Sequence, residues 1–229
     1  MIPRQACRLC VITDPELGRG LSHVDIARQA LEGGASMIQL RDKSAGLREL
    51  VSQAQQIGKL CRIRAVPFIV NDRLDLALAA EADGVHLGQD DLPPKVARAI
   101  LGSEKFLGVS THSLDQAIHA AEDGADYLGV GPIFATSTKA IGYEPVGCAM
   151  IRQLRARLEL PLIAIGGITV HNVGEVIRAG AAGVAVISAI AGAEDVTRAT
   201  REFLAAILEA ERGPRSGKTV IDGSFPLSL

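Results

Sequence analysis

Gly124-Ala125-Asp126-Tyr127-Leu128-Gly129-Val130-Gly131-Pro132 is the stretch on which the fold is read. It follows an amphipathic run, and Gly directly after such a run marks a helix end, because glycine enters the left-handed conformation without a Cβ penalty. The apolar run Tyr127–Val130 is too short for a helix and reads as a buried strand, which Gly131-Pro132 then stops. The same joint recurs at Gly34-Ala35 and Gly180-Ala181, and Ala82-Asp83-Gly84 is a looser copy. Working outward in both directions, short apolar runs stand at Leu9–Thr13, Met37–Leu40, Phe68–Val70, Gly84–Leu87, Phe106–Val109, Tyr127–Val130, Leu162–Ile165 and Val184–Ile187. Between them lie helical patterns such as Leu47, Leu50, Val51, Ala54, Ile57 and Cys61, and Val196, Ala199, Phe203, Ala206 and Ile207 close the series. Ser113-x-x-Gln116 has the spacing of a capping box, and Pro93-Pro94 suits a first helical turn.

Strands alternating with helices through right-handed crossovers make a parallel sheet, either closed into a barrel or open and doubly wound. Eight units in 229 residues favour the closed form, since about 25 residues per unit leave little for a second domain. The expectation is an α/β single-domain (β/α)8 TIM barrel over residues 1–212, with 213–229 as an aperiodic C-terminal extension.

Composition narrows the function. Hydrophobic residues at 48% and charged residues at 22% exclude a disordered chain. Lys and Arg number 24 against 26 Asp and Glu, a net charge of −2, and aromatics are 3% with no Trp. Neither the clustered positive charge nor the stacking rings of a nucleic-acid binder are available. The longest uncharged run, Ala179 to Ala193, is too short and too rich in Gly and Ala for a membrane span. The N-terminus has no signal-peptide core. Four cysteines make no disulfide framework, and Cys7-x-x-Cys10, read as part of a strand, puts its two thiols on opposite faces with no second pair to complete a metal site. A cytoplasmic protein with small-molecule partners is expected, and self-association stays open.

In such a barrel the active site lies at the C-terminal ends of the strands. Those positions are polar here. Gln39, Arg41 and Lys43 follow one another at a spacing of two, so an extended chain would aim them to one side, where an anionic phosphate or pyrophosphate suits them. Solvated surface charge is the plainer alternative. Asn71 and Asp72 end the third strand, and Asp91 follows the fourth. Asp72 and Asp91 would supply the one or two carboxylates that Mg²⁺ takes alongside substrate phosphates, or else cap the helices behind them. Ser110 ends the fifth strand, and Gly131–Gly147 is a long connection that reads as a lid or substrate loop, with Lys139 in it. Gly166-Gly167 after the seventh strand and Ser188 after the eighth stand where barrels commonly bind phosphate. His86 and His112 belong to the barrel mouth, in catalytic or packing roles, whereas His23, His119 and His171 read as helix-surface or loop residues. Gly217-Lys218-Thr219 fails as a P-loop because Arg212 stands where its first glycine belongs.

In order along the chain, Val11-Ile12-Thr13-Asp14, Ile38-Gln39-Leu40-Arg41-x-Lys43, Val70-Asn71-Asp72-Arg73, Asp83-Gly84-Val85-His86-Leu87-Gly88-Gln89-x-Asp91, Gly108–His112, Gly129-Val130-Gly131-Pro132-Ile133-Phe134-x-Thr136-x-Thr138-Lys139 and Ile165-Gly166-Gly167-Ile168 resemble the thiamine phosphate synthase family. The resemblance runs to about residue 208. It implies a Mg²⁺-dependent transferase that joins a hydroxymethylpyrimidine diphosphate to a thiazole phosphate. It also implies that Gln39, Arg41, Lys43, Asn71, Ser110 and Lys139 hold the pyrimidine diphosphate, and that Arg41, Lys43, Ser110 and Lys139 are the catalytic groups among them. Asp72 and Asp91 would bind Mg²⁺, and Thr136, Ser137, Thr138, Gly167, Ile187 and Ser188 the thiazole phosphate. Ala135 and Asp42 depart from the usual Pro and Glu of the family. A related thiazole tautomerase would not need the diphosphate grip, and a non-catalytic thiamine-phosphate binder would keep every ligand residue.

Overall fold

The computed structural model describes residues 2–136 and 144–213. Eight parallel strands close into a barrel in sequence order, β1 (Leu9–Thr13), β2 (Met37–Leu40), β3 (Phe68–Asn71), β4 (Gly84–Leu87), β5 (Phe106–Thr111), β6 (Tyr127–Val130), β7 (Leu162–Ile165) and β8 (Gly183–Val186), with β8 pairing back onto β1. The helices are α1 (His23–Gly33), α2 (Leu47–Ile63), α3 (Leu74–Ala79), α4 (Pro94–Leu101), α5 (Leu114–Glu122), α6 (Gly147–Arg155), α7 (Val173–Arg178), the short α8 (Ser188–Ala191) and α9 (Val196–Glu211). All eight expected strands are present. The third and fifth run one and two residues further than the apolar pattern, and the eighth is shifted back by one residue at both ends, leaving Ile187 outside it.

The joints that repeat in the sequence do repeat in space. Gly34, Gly124 and Gly180 each take a positive φ just past a helix. The residue that follows two positions after Gly34 and Gly124, or before Gly84 in the looser copy, turns a polar side chain onto the preceding strand. Ser36 Oγ accepts from Leu9 N, Asp83 carboxylate from Phe68 N, and Asp126 carboxylate from Leu107 N, at 2.8–2.9 Å. In these three units the side chain thus satisfies a backbone donor at the start of the preceding strand. Ser113 caps α5, but Gln116 reaches back to His112 N rather than Ser113 N, so the box is only half formed. The complete capping box is on α1, between Ser22 and Asp25.

Two apolar clusters divide the core. The larger lies between strands and helices. The smaller fills the barrel with alternate strand residues, Cys10, Ile12, Met37, Ile69, Tyr127, Ile163 and Ala185 among them. Cys7 belongs to a 3-10 turn over Arg4–Cys7 rather than to the strand. The alternation argument therefore does not separate it from Cys10: both thiols are buried in the inner cluster, and all four cysteines are free. Among the described residues no helix is long and apolar enough to cross a membrane.

Candidate active site

The polar residues at the C-terminal ends of the strands fall into three groups. The first lies inside the barrel. Gln39 and Asn71, both nearly fully buried, are neighbours across β2 and β3, and Gln39 Nε2 donates to Asn71 Oδ1 at 2.7 Å. Cys10 Sγ donates to Gln39 Oε1 at 3.7 Å, and burial pushes that thiol far up from its ordinary value, so it stays protonated as a donor. The chain of bonds fixes the sense of each amide and gives Asn71 an NH2 to offer a ligand. On the adjacent β4, in register with Asn71, His86 hydrogen-bonds Tyr127 Oη through Nδ1 (3.2 Å) and Ser110 Oγ through Nε2 (2.9 Å). Tyr127 is held protonated well above its usual range by burial. Glycine makes this network possible: a Cβ on Gly108 would overlap the Tyr127 ring, and one on Gly129 would come within 2.9 Å of His86 Cε1. Sequence reasoning placed His86 at the mouth. It lies on the inner face of β4, a position that its spacing of two from Gly84 encodes.

The second group is the rim. The strand ends at Leu40, so the alternation that would align Gln39, Arg41 and Lys43 stops before the second of them. Gln39 points into the barrel, Arg41 is mostly covered, and Lys43 is exposed. Arg41 Nη1 pairs with Asp14 at 3.5 Å, while its Nε is buried without a hydrogen-bond partner. A buried unpaired donor on a cation is costly unless an anion completes it. Asp72 continues the ladder past β3, its N–H donating to His86 O at 2.8 Å, and sits at a positive φ of 63°. Asp91 Oδ2 accepts from Gly88 N at 2.6 Å. Neither is a helix cap: the residues preceding α3 and α4 are Arg73 and Pro93, without side-chain caps. Both carboxylates thus stand in loops beyond adjacent strands. Among the described residues no group of three or more His, Cys, Asp or Glu is gathered. Carboxylate oxygens are the hard donors that Mg²⁺ takes beside water and substrate oxygens.

The third group lines a cavity of about 460 Å³ over β6, β7 and β8, including His112, Pro132, Thr136, Gly167, Ile187 and Ser188. Gly166 (φ 98°) and Gly167 (φ 63°) bring the end of β7 against the loop after β6, where Phe134 N donates to Gly166 O at 3.1 Å. Ile187 precedes α8 and Ser188 opens it. His112 Nδ1 donates to Gly131 O. Ile165 and Ala185 line this cavity and also a void of about 20 Å³ beneath Gln39, His86 and Ser110, so the apolar cavity and the polar interior adjoin. Ser137, Thr138 and Lys139 lie outside the described residues, as does most of the 213–229 extension.

One histidine contradicts its sequence reading. His23, which reads in sequence as a helix-surface or loop residue, is 1% exposed and bonded to Thr13 Oγ1 (2.7 Å) and Asp42 Oδ2 (3.0 Å). It opens α1 and faces the barrel, so its neighbourhood in sequence, Ser22 and Asp25, gave no sign of the carboxylate it meets.

A closed barrel with cations, amides and carboxylates at one rim and a glycine-lined cavity beside them defines a barrel enzyme for phosphorylated small molecules. Comparison with known proteins gives the family: residues 9–190 match the family described as Thiamine monophosphate synthase. The thiamine-phosphate synthase of Chloroflexus aurantiacus is 50% identical over 200 residues, covering 87% of this chain and 92% of that protein. That of Methanospirillum hungatei is 51% identical over 197 residues, covering 86% and 96%. The solved structure of thiamine phosphate pyrophosphorylase from Pyrococcus furiosus superposes with a TM-score of 0.84 at 41% identity, covering 90% of this chain and 98% of that one. The chain belongs to the thiamine monophosphate synthase family, whose reaction condenses a pyrimidine diphosphate with a thiazole phosphate.

Proposed function

We propose that this transferase is Mg²⁺-dependent and works in two adjoining subsites. Gln39, Arg41, Lys43, Asn71, Ser110 and Lys139 hold the pyrimidine diphosphate, and Thr136, Ser137, Thr138, Gly167, Ile187 and Ser188 hold the thiazole phosphate. The observation that supports this reading is the 460 Å³ cavity over β6 to β8, which adjoins the polar interior of Gln39, His86 and Ser110 through Ile165 and Ala185.

The C–O bond to pyrophosphate breaks with its electron pair leaving on oxygen, and a pyrimidinylmethyl cation remains. The thiazole nitrogen lone pair then forms the C–N bond, and no proton moves in that step. The site has matching demands: hold two reactants in line and neutralise the departing pyrophosphate, which gains one more negative charge as the C–O bond breaks. Arg41 offers a guanidinium with a partnerless Nε, Lys43 and Lys139 add charge, and Ser110 is oriented by His86. Asp72 and Asp91 would hold Mg²⁺, which supplies charge neutralisation on the pyrophosphate oxygens. A general base has no assigned task here. Four free buried cysteines support a reducing compartment, the cytoplasm.

Pyrophosphate release with both substrates, with Mg²⁺ and again with EDTA, tests the reading. Release is expected only with both substrates and Mg²⁺. Release that persists in EDTA overturns the metal role, and thiazole-phosphate binding without any release overturns the transferase.

A further inference from the structure

The segment Arg41–Gly46 has little to hold it. It leaves the sheet at Leu40, and α2 begins only at Leu47 behind Gly46, which has no side chain to cap it. Asp42 organises the segment. Its Oδ1 accepts from Ser44 N (2.7 Å), Ser44 Oγ (3.0 Å) and Ala45 N (2.8 Å), and its Oδ2 accepts from His23 Nε2 at 3.0 Å. The imidazole is anchored at its other nitrogen by Thr13, the last residue of β1, at 2.7 Å. Burial lowers the His23 pKa, which keeps the ring neutral with its single proton on Nε2, since a carboxylate only accepts; Nδ1 then accepts from the Thr13 hydroxyl. The next residue along from Thr13, Asp14, pairs with Arg41 directly. The end of β1 thus holds the segment twice, once by Asp14 at Arg41 and once through His23 at Asp42.

We propose that His23 is a positioning residue for the pyrimidine diphosphate: by gripping Asp42, the residue between Arg41 and Lys43, it fixes the backbone from which both cations reach the leaving pyrophosphate. This rests on the assignment of Arg41 and Lys43 to the diphosphate. His23 touches no substrate, so its effect passes through its neighbours, and it acts on one subsite only, because the thiazole cavity lies over β6 to β8.

The test is steady-state kinetics of the full chain with Mg²⁺, each substrate varied in turn, for His23→Ala, His23→Gln, Arg41→Ala and the double variant His23→Ala/Arg41→Ala. Removing the grip is expected to raise KM for the pyrimidine diphosphate about tenfold, the scale on which loss of positioning acts. KM for the thiazole phosphate stays unchanged. His23→Gln, which retains an N–H able to reach Asp42, recovers most of the loss. In the double variant the two effects are less than multiplicative, because one of the two cations that His23 positions is already absent. Equal rises in both KM values, or effects that multiply in the double variant, would show that His23 merely packs α1 and overturn the proposal. Should Arg41→Ala leave the pyrimidine diphosphate KM unchanged, the assignment of the diphosphate subsite fails first and the inference with it. If His23→Ala does not fold, His23→Gln and Thr13→Val, which keeps the side-chain shape, carry the same comparison.

Discussion

Replacing Gly167 by alanine should damage one substrate's binding as well as the fold, and the structure separates the two effects. At φ 63° an L-residue is strained, by about 1–2 kcal/mol. Space adds to this. The new Cβ would stand 2.5 Å from Ala135 O and 2.8 Å from Phe134 Cβ. One obstacle is a backbone oxygen, so no rotamer change relieves it, and the loop after β6 must shift. Overpacking of this kind costs about 1–3 kcal/mol more. Gly20 provides the control, since its φ of 92° is further from the left-handed optimum while nothing lies within 4 Å of its Cβ. Gly20→Ala should therefore show the backbone cost alone. Thermal unfolding is expected to fall by about 2–4 °C per kcal/mol in a chain of this size, and to fall further for Gly167→Ala than for Gly20→Ala. Because the displaced loop includes Thr136, KM for the thiazole phosphate should rise in Gly167→Ala and not in Gly20→Ala. Equal melting losses in the two variants, with an unchanged thiazole KM, would refute the close contact between the β6 and β7 loops and the role given to it.

Asp72→Asn and Asp91→Asn should each lower turnover about a hundredfold or more while raising the Mg²⁺ concentration needed for half-maximal rate, as pyrophosphate-release titrations would show. Folding stability should decline on acidification in two windows. The folded pKa of His23 lies below its unfolded value of about 6.5, so the unfolded chain binds more protons as pH falls below 6.5 and stability drops there. Burial pushes the Asp42 carboxyl up, but the Ala45 backbone donor, the His23 bond and the Ser44 donors together outweigh it and hold Asp42 below its usual carboxylate range, so its contribution is present above about pH 4 and is lost as pH falls towards the folded value. Chemical denaturation at a series of pH values should show His23→Gln flattening the first window and Asp42→Asn the second. Tyr127→Phe removes the 3.2 Å bond to His86 Nδ1 and should cost about 1–3 kcal/mol in denaturant melts, as a buried acceptor or donor loses its partner.

The barrel was legible because its evidence is periodic: short, mostly buried strands recur eight times between helices, and four of them are entered through the same glycine joint or its looser copy. The exceptions have local causes. β5 runs on to Thr111 because Ser110 and Thr111 still pair with Gly129 and Val130, so polar residues occupy strand positions that an apolar pattern cannot show. The inward-facing residues were partly legible, since Gln39, Asn71 and His86 occupy the alternate positions that point to the axis. The rim was less so. Alternation gave Gln39, Arg41 and Lys43 one common direction, but it applies only while the chain stays extended, and the strand ends between the first two. His23 was not legible, because its contacts to Thr13 and Asp42 are 10 and 19 residues away and depend on the crossing of α1 over β1.

The division of labour around the barrel follows from where bulk is tolerated. On β1 to β5 the inner face offers two amides bonded to each other and a histidine bonded to a serine, so the donors of this half are held by side-chain partners. On β6 to β8 the corresponding places are taken by Gly129, Ile165 and Ala185, with Gly166 and Gly167 beyond, and the space left open is the 460 Å³ cavity. A substrate bearing two phosphates needs fixed donors and cations, because neutralising its leaving group tolerates little misplacement. An acceptor that contributes one ring nitrogen needs a shaped apolar wall and a single anchor for its phosphate. The two halves meet at Ile165 and Ala185, and that is where a carbon leaving oxygen on one side would meet nitrogen on the other. Enlarging Ala185 would therefore hinder the bond-forming step more than the binding of either substrate alone.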